Sequence, residues 1–388
     1  MLCLALCLLG LGVSATAQEF FFITTFDAPH AGRGATQGTI PSGIIPGGAI
    51  VGYYEDADNV YHGFLRAPDG RIIKIDDPDA GTGAYEGTRA YGMNQQGAIT
   101  GSYEDSSGAG HGFLRDRHGN FTSFDASMPS GPWECPEPNS YTEGASINSA
   151  GWIAGDFVDG CWGADHGLLR APDGTLTEFD APDSVFPYCA ENVPYFCYPY
   201  GTTSAFFSGI NPAGTITGWF QDWNWWDSPF YYVEHSWVGT PGTISEFDAP
   251  NTTLDEDGSW SGSINPAGAV TGTYWDSNGV QHGYVRAPDG TITTFDAPHA
   301  GTLSGQGTVA ENINPSGAIV GNYWDSRGVA HGFVRYPHGW IATFDAPGAG
   351  HGSGQGTFPY VNNPEGAITG TYLDRHNVYH GFVAIPIP

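Results

Sequence analysis

Basic residues are scarce in this chain: 12 Lys and Arg stand against 41 Asp and Glu, a formal net charge of −29. Nucleic-acid affinity comes mainly from Lys/Arg contacts to phosphate, so this balance argues against nucleic acid and against anionic lipid. It suits cations, neutral glycans or basic partners. Long apolar runs are also missing, except at the start. Residues 1–17, MLCLALCLLGLGVSATA, end in the small-residue site Ala15-Thr16-Ala17 and read as a secretory signal peptide without the usual basic n-region. The run of about 13 apolar residues is too short to span a bilayer. No membrane insertion is expected after cleavage, and the mature chain 18–388 is expected to be secreted, extracellular or periplasmic. Cysteine is sparse, and only Cys135, Cys161, Cys189 and Cys197 follow the leader. No CxxC is present and the one HxxxH, His376 to His380, lies far from the cysteines in the sequence, which argues against zinc. In an exported chain an even count suggests disulfides, here expected as Cys135–Cys161 and Cys189–Cys197 out of three possible connectivities. GxSxG, HExxH and P-loop motifs are absent, so no recognised catalytic motif is present.

Glycine and proline are abundant instead, at 58 and 28 residues, and they punctuate a repeat. Its clearest copy, residues 314–347, reads NPSGAIVGNYWDSRGVAHGFVRYPHGWIATFDAP. An Asp closes each copy at Asp27, Asp76, Asp125, Asp180, Asp248, Asp296 and Asp345, and a His recurs at His62, His111, His166, His235, His282, His331 and His380. The two series are out of phase. The first Asp precedes any His, and the last His has no Asp after it. Residues 20–27 therefore read as the final strand of the C-terminal copy. A closed ring explains this; an open solenoid does not. The fold expected is all-β: one domain, 18–388, forming a seven-bladed β-propeller of four-stranded blades, closed by the N-terminal strand.

Within a copy, strand A ends at Asn314, and the Asn-Pro-x-Gly that follows suits a type I turn. Strand B carries a recurrent glycine (Gly52, Gly101, Gly155, Gly218, Gly272, Gly321, Gly370), expected to allow close packing of one blade on the next. Strand C begins at the His and ends, in five copies, at Arg66, Arg115, Arg170, Arg286 or Arg335, expected to pair with an acid. An Ala-Pro-Asp-Gly turn in several copies leads to strand D. Strands alternate direction, so the A–B and C–D turns share one face and the B–C and D–A loops share the other. The first set is nearly uniform and the second carries the length variation, which makes it the expected working surface.

The pattern INxxGxIxGxYxDxxGxxHGFxR…FDxP resembles the HAF-type extracellular repeats of bacterial proteins. Gly209-Ile210-Asn211, His62-Gly63-Phe64-Leu65 and His111-Gly112-Phe113-Leu114 carry the likeness, which spans essentially residues 20–388. It implies export and a repeated β-architecture. The Phe-Asp-Ala-Pro ending departs from the family's usual Leu-Gly-Thr-Leu type, and the resemblance implies no catalytic residues.

The recurrent Asp and His are read as scaffold. Asp56, Asp105, Asp276, Asp325 and Asp374 open the B–C hairpins, where a carboxylate caps a turn by accepting backbone N–H bonds. A His at the strand start can tie that turn to the closing Asp. Calcium is the one cofactor weighed, and the spacing lacks the dense D-x-D-x-D-G of calcium loops; none is expected. Function is sought where the repeat breaks: insertions at 127–145 and 183–204, and an enlarged B–C loop at 222–235. Tyr and Trp offer flat apolar faces with a polar edge, which suits stacking on sugar rings. The candidate ligand-binding residues are Trp133, Tyr188, Tyr195, Trp223, Trp225, Trp226, Tyr231, Tyr232, Glu234 and His235, with Glu134, Glu137, Glu143, Glu191 and Asp227 as nearby carboxylates. Three functions stay open: binding of an extracellular glycan or protein ligand, polysaccharide cleavage by a lyase or glycoside hydrolase, and an envelope or matrix scaffold. Packing of these aromatics into a satellite core is the alternative to a binding platform.

Overall fold

The computed structural model describes residues 21–126, 141–158, 165–181, 186–189, 197–200, 203–224, 231–252 and 258–387. These residues form thirty strands and no helix. None of them therefore forms a helix long and apolar enough to cross a membrane.

One antiparallel four-strand unit recurs. In its clearest copy, Gly307–Ile313 pairs with Ile319–Trp324, that strand with Ala330–Arg335, and that with Ile341–Phe344. These are the strands expected as A to D. The same order occurs at 38–74, 87–124, 141–179, 203–247 and 259–295. The C-terminal segment 356–386 supplies three strands, and its fourth is Phe21–Phe26, paired from Phe21↔Pro386 to Phe26↔Gly381. Below, units are numbered from 38–74 as unit 1 to this composite as unit 7.

Asparagine organises the A–B turns. Asn314 Oδ1 accepts the N–H groups of Ser316 and Ala318, both at 3.0 Å, while its Nδ2 donates to the Asn363 carbonyl of the next unit at 3.0 Å. The equivalent inter-unit bonds run from Asn94 to Asn148, Asn148 to Asn211, Asn265 to Asn314 and Asn363 to Ile45, at 3.0–3.4 Å. At the other end of strand A, Gly307 (φ +119°) forms a parallel bridge to Gln281 of the preceding unit, and a Cβ there would strike the Gln281 carbonyl. Only glycine combines that φ with that approach.

The strand B glycines act differently from the expectation. A Cβ on Gly321 would meet the Val309 carbonyl of its own unit, beside a register shift between Ala310 and Asn312. The close approach is to a bulge in strand A within the unit, not to the neighbouring unit. A bulge turns an extra residue and its carbonyl out of the ladder, and a side chain opposite has no room. The recurrent Arg also departs from its expected ion pair. Arg66, Arg170, Arg286 and Arg335 lie 4.8–5.3 Å over Phe26, Phe124, Phe247 and Phe295, each on the fourth strand of the preceding unit. A weakly hydrated planar guanidinium gains more from a half-buried ring face than from an exposed carboxylate.

The core lies between units. Phe21, Val320, Val334, Phe344 and Phe382 share one cluster across units 6 and 7, and Ile50, Tyr54 and Phe64 of unit 1 share another with Ala367 and Val383 of unit 7. Phe21, 3 % exposed, ties the N-terminal strand to its unit. Its replacement by Ala should cost about 3–5 kcal/mol. Deleting residues 18–28 should bare the edge of Tyr379–Pro386, lower the melting temperature and promote aggregation. Unchanged melting and solubility of the truncated protein would contradict this role for the first strand.

Candidate functional site

Every unit makes the same His–Asp tie. Nδ1 of His62, His111, His166, His235, His282, His331 and His380 lies 2.7–3.0 Å from Asp76, Asp125, Asp180, Asp248, Asp296, Asp345 and Asp27 respectively. Each imidazole also packs on a ring of strand B, as His331 does on Tyr323 at 5.1 Å. The hairpin Asp caps its turn. Asp105 Oδ1 accepts from Ser107 and Ala109 N–H, and the Ser107 hydroxyl bond chiefly holds its carboxyl down at about 2. The bond from Asp345 raises His331 above its ordinary range. These bonds repeat wherever the unit repeats, so they account for the conserved geometry of the unit and not for a particular ligand.

The A–B turns of every unit line an open cavity of about 280 Å³, with Ile45, Asn94, Asn148, Asn211, Asn314 and Asn363 among its walls. Asn94, Asn148, Asn314 and Asn363 already use both ends of their amides. Of the cavity's side chains, Asn362 keeps a buried Oδ1 without a partner, while these four turn asparagines are satisfied.

The loop-bearing end of the inner strands differs from unit to unit. The third position of strand A is Ile40, Val309 or Phe358 in units 1, 6 and 7, but Arg89 in unit 2 and Glu143 in unit 3, and Trp260 holds the matching register position in unit 5. Arg89 Nη1 donates to Glu104 at 3.0 Å, and its guanidinium lies 3.7 Å over the Tyr61 ring. Ser102 Oγ stands 2.9 Å from Tyr141 Oη and 3.4 Å from Tyr91 Oη. Tyr141 Oη in turn donates to Glu143 Oε2 at 2.8 Å. Glu143 faces Asp156 directly across the strand pair. Asp156 is 8 % exposed, and its Oδ1 has no hydrogen-bond partner.

Electrostatics mark this pair, as burial alone also marks Glu311 of unit 6, raised to about 7. Burial, then repulsion from Glu143 and Asp165, raises Asp156 well above the carboxylate range. Burial raises Glu143 too, against the Tyr141 bond and the Arg89 charge. Burial likewise lifts Tyr53, beside this cluster, to about 12. Two opposed carboxyls in a poorly solvated place cannot both ionise at neutral pH, so one retains a proton. Perturbed groups converging at one end of the inner strands mark a functional site better than any feature repeated in every unit.

Glu143 was grouped with the loop carboxylates in the sequence, but it lies on strand Tyr141–Ile147. The enlarged 222–235 loop is largely strand as well. Ile216–Asn224 and Tyr231–Gly239 pair out to Asn224↔Tyr231, which places Trp223 opposite Tyr232 and Gln221 opposite Glu234. Glu234 Oε1 accepts from Gln221 Nε2 at 3.4 Å. His235 holds the scaffold position, on Asp248 and against Phe220 at 5.2 Å. Tyr188 lies on a hairpin of Phe186–Cys189 with Cys197–Tyr200, in which Cys189 and Cys197 are register partners. Trp133, Cys135, Cys161, Tyr195, Trp225 and Trp226 lie outside the described residues, as do Glu134, Glu137, Glu191 and Asp227. Arg89, Tyr141 and Asp156 were missed as site residues. Aligning the units on strand A exposes the signal, because an apolar column turns charged there.

No protein-family model and no curated protein sequence matches the chain, so the HAF-type resemblance rests on its motifs alone. Among solved structures, the chain is similar to a streptogramin B lyase, with 15 % identity over 95 % of this chain and 99 % of that one and a TM-score of 0.52. A virginiamycin B lyase from Staphylococcus aureus gives 12 % identity over 94 % and 99 % at a TM-score of 0.49. The Aleuria aurantia lectin gives 11 % over 77 % and 95 % at 0.38. At these identities the likeness speaks for the fold alone. With the repeated four-strand units, the likeness to the streptogramin B lyase supports a β-propeller type of architecture.

The raised Asp156 has a consequence for stability. A carboxyl whose folded pKa lies above its unfolded value favours the folded state at low pH, and that contribution is lost as pH rises through the folded pKa. Asp156→Asn should therefore gain on the parent in melting temperature between about pH 4 and about pH 8. Thermal melts across that range check this, and a constant or shrinking gap would show that Asp156 ionises freely in the fold.

Proposed function

We propose that the chain is an exported, closed seven-bladed β-propeller that binds a glycan at its loop-bearing mouth, on the cluster shared by units 1 to 3 and the aromatic loops of units 2 to 4. Closure is supported by the pairing of Phe21–Phe26 with Tyr379–Pro386, the shared core of units 7 and 1, and the bond from Asn363 to Ile45. Export rests on the apolar leader of residues 1–17. The observation that carries the binding reading is the cluster at the loop-bearing end of the inner strands. Half-buried Tyr53, Tyr61, Tyr91 and Tyr141 meet Arg89 and Glu143 there. Aromatic faces stack on the C–H faces of sugars, and paired carboxyls and guanidinium bond their hydroxyls. The aromatic segments 127–140 and 222–235 adjoin this end in the sequence.

Polysaccharide cleavage at the same surface is the second reading, and the Glu143–Asp156 pair favours it, since a protonated carboxyl beside an ionised one is the arrangement of general acid–base chemistry. Binding of a polysaccharide panel, with and without release of reducing or unsaturated ends, separates the two. Absence of any glycan binding would leave the scaffold reading.

Two outcomes follow for the sequence candidates. Replacing Trp225 and Trp226 by Ala should weaken glycan binding with little change in melting, because the core lies between the paired faces of the four-strand units. Were those indoles a satellite core, the loss would approach about 3–5 kcal/mol per residue, and a large drop in melting temperature would remove them from the binding site. Disulfides Cys135–Cys161 and Cys189–Cys197 should appear in non-reducing peptide maps, contributing roughly 3.5 and 2.5 kcal/mol in the chain-entropy picture. Crossed pairs or four free thiols would overturn this pairing.

A further inference from the structure

The Glu143–Asp156 pair is short of positive charge. Arg89, on the strand Gly87–Met93, is engaged by Glu104 and Tyr61. Asp165, on the strand Asp165–Arg170, adds a third carboxyl whose charge opposes ionisation of both members. The hydroxyls of Tyr53, Tyr91, Ser102 and Tyr141 also belong to this cluster, and none of them brings a cation. Asp156 Oδ1, in a side chain more than nine-tenths buried, remains without a hydrogen-bond partner. A buried carboxylate oxygen left unmatched is costly, and a donor that also carries charge matches it best. The chain as a whole, at −29, attracts cations over a distance.

We propose, resting on the glycan reading above, that the Glu143–Asp156 pair is the subsite for the protonated amine of an amino-sugar glycan. The ammonium replaces the proton held between the two carboxyls and donates its N–H bonds to Glu143 and to Asp156 Oδ1. The proton passes to solvent, so the pair moves from one negative charge to two as it takes up one positive charge. An N-acetylated sugar carries no such charge and cannot displace the proton. The site therefore discriminates between the two forms of the same glycan.

Calorimetric titration with a glucosamine oligomer and its fully N-acetylated counterpart, in buffers of different ionisation enthalpy, tests this. The amine form should bind about tenfold or more tightly, as expected for added charge-assisted hydrogen bonds. At a pH low enough for the free amine to be already protonated, its binding should release about one proton per site and weaken as pH falls further, because protons compete for the same oxygens. Asp156→Asn should bring the two affinities together, and its thermal melt shows whether the variant is folded. Proton release by the parent protein provides a readout that needs no variant. Equal affinity for the two oligomers would overturn the amine subsite and leave the glycan reading standing. So would a preference that persists in Asp156→Asn without proton release, the mark of general attraction to an acidic surface. Binding of neither oligomer would remove the amine subsite, and failure of the wider polysaccharide panel would remove the glycan reading with it.

Discussion

The asparagine at the end of each inner strand is the group on which the assembly of units depends. One primary amide performs two tasks there. Its oxygen accepts two backbone N–H groups of its own turn, and its nitrogen donates to the carbonyl at the head of the next unit. Neither Asp nor Ser offers both an acceptor with two free lone pairs and a separate donor in that span. The turn that closes one hairpin thereby also sets the position of its neighbour. Individually such bonds contribute little, about 1 kcal/mol net each. Their weight lies in repetition, because each copy sits beside a buried apolar contact that would otherwise allow the units to slide. Where Ile45 replaces the asparagine in unit 1, its carbonyl still receives the bond from Asn363. That position is a recipient without being a donor.

The opposite end of the units is held by different chemistry. His, closing Asp and a strand B ring form a compact knot beside each B–C hairpin, and the hairpin Asp caps its own turn. Because both ends of each unit are tied locally, the loops above can change length without disturbing strand pairing. Unit 4 illustrates this. Its second and third strands extend to Asn224↔Tyr231, well past the corresponding ends in the other units, while His235 keeps its bond to Asp248 and its contact with Phe220. Function built into such loops is insulated from folding, which is what a repeat scaffold offers a binding surface.

Much of this was legible in the sequence because it is periodic. Strand order, turn chemistry, the out-of-phase Asp and His, and the tie between them all follow from residues that recur at one position. What was not legible depends on contacts that cross the period. The partner of Arg335 is Phe295, forty residues away on another unit, and nothing in the arginine's own neighbourhood names it. The glycine opposite a strand A bulge looks the same in sequence as one between two sheets, since only the register shift tells them apart. Glu143 was misplaced for a related reason. It follows a long irregular insertion, and the strand that carries it begins with Tyr141 where several other units begin with glycine.

The charged column at the third position of strand A sharpens the distinction between scaffold and site. Ile40, Val309 and Phe358 show that the position accepts an apolar residue in the same backbone. Glu143 there, facing Asp156 of the next strand, opposes the stability of unit 3, since burial works against both charges and the Glu143 charge works against that of Asp156. A fold selected for stability alone would fill the position as units 1, 6 and 7 do. The cost is confined to one unit, because each unit buries its apolar faces against two neighbours, and the Ile153, Phe157 and Leu168 cluster of unit 3 is intact beneath it. A local penalty in a repeated scaffold, at the end where the loops vary, is what the proposed ligand subsite requires and what the scaffold alone does not.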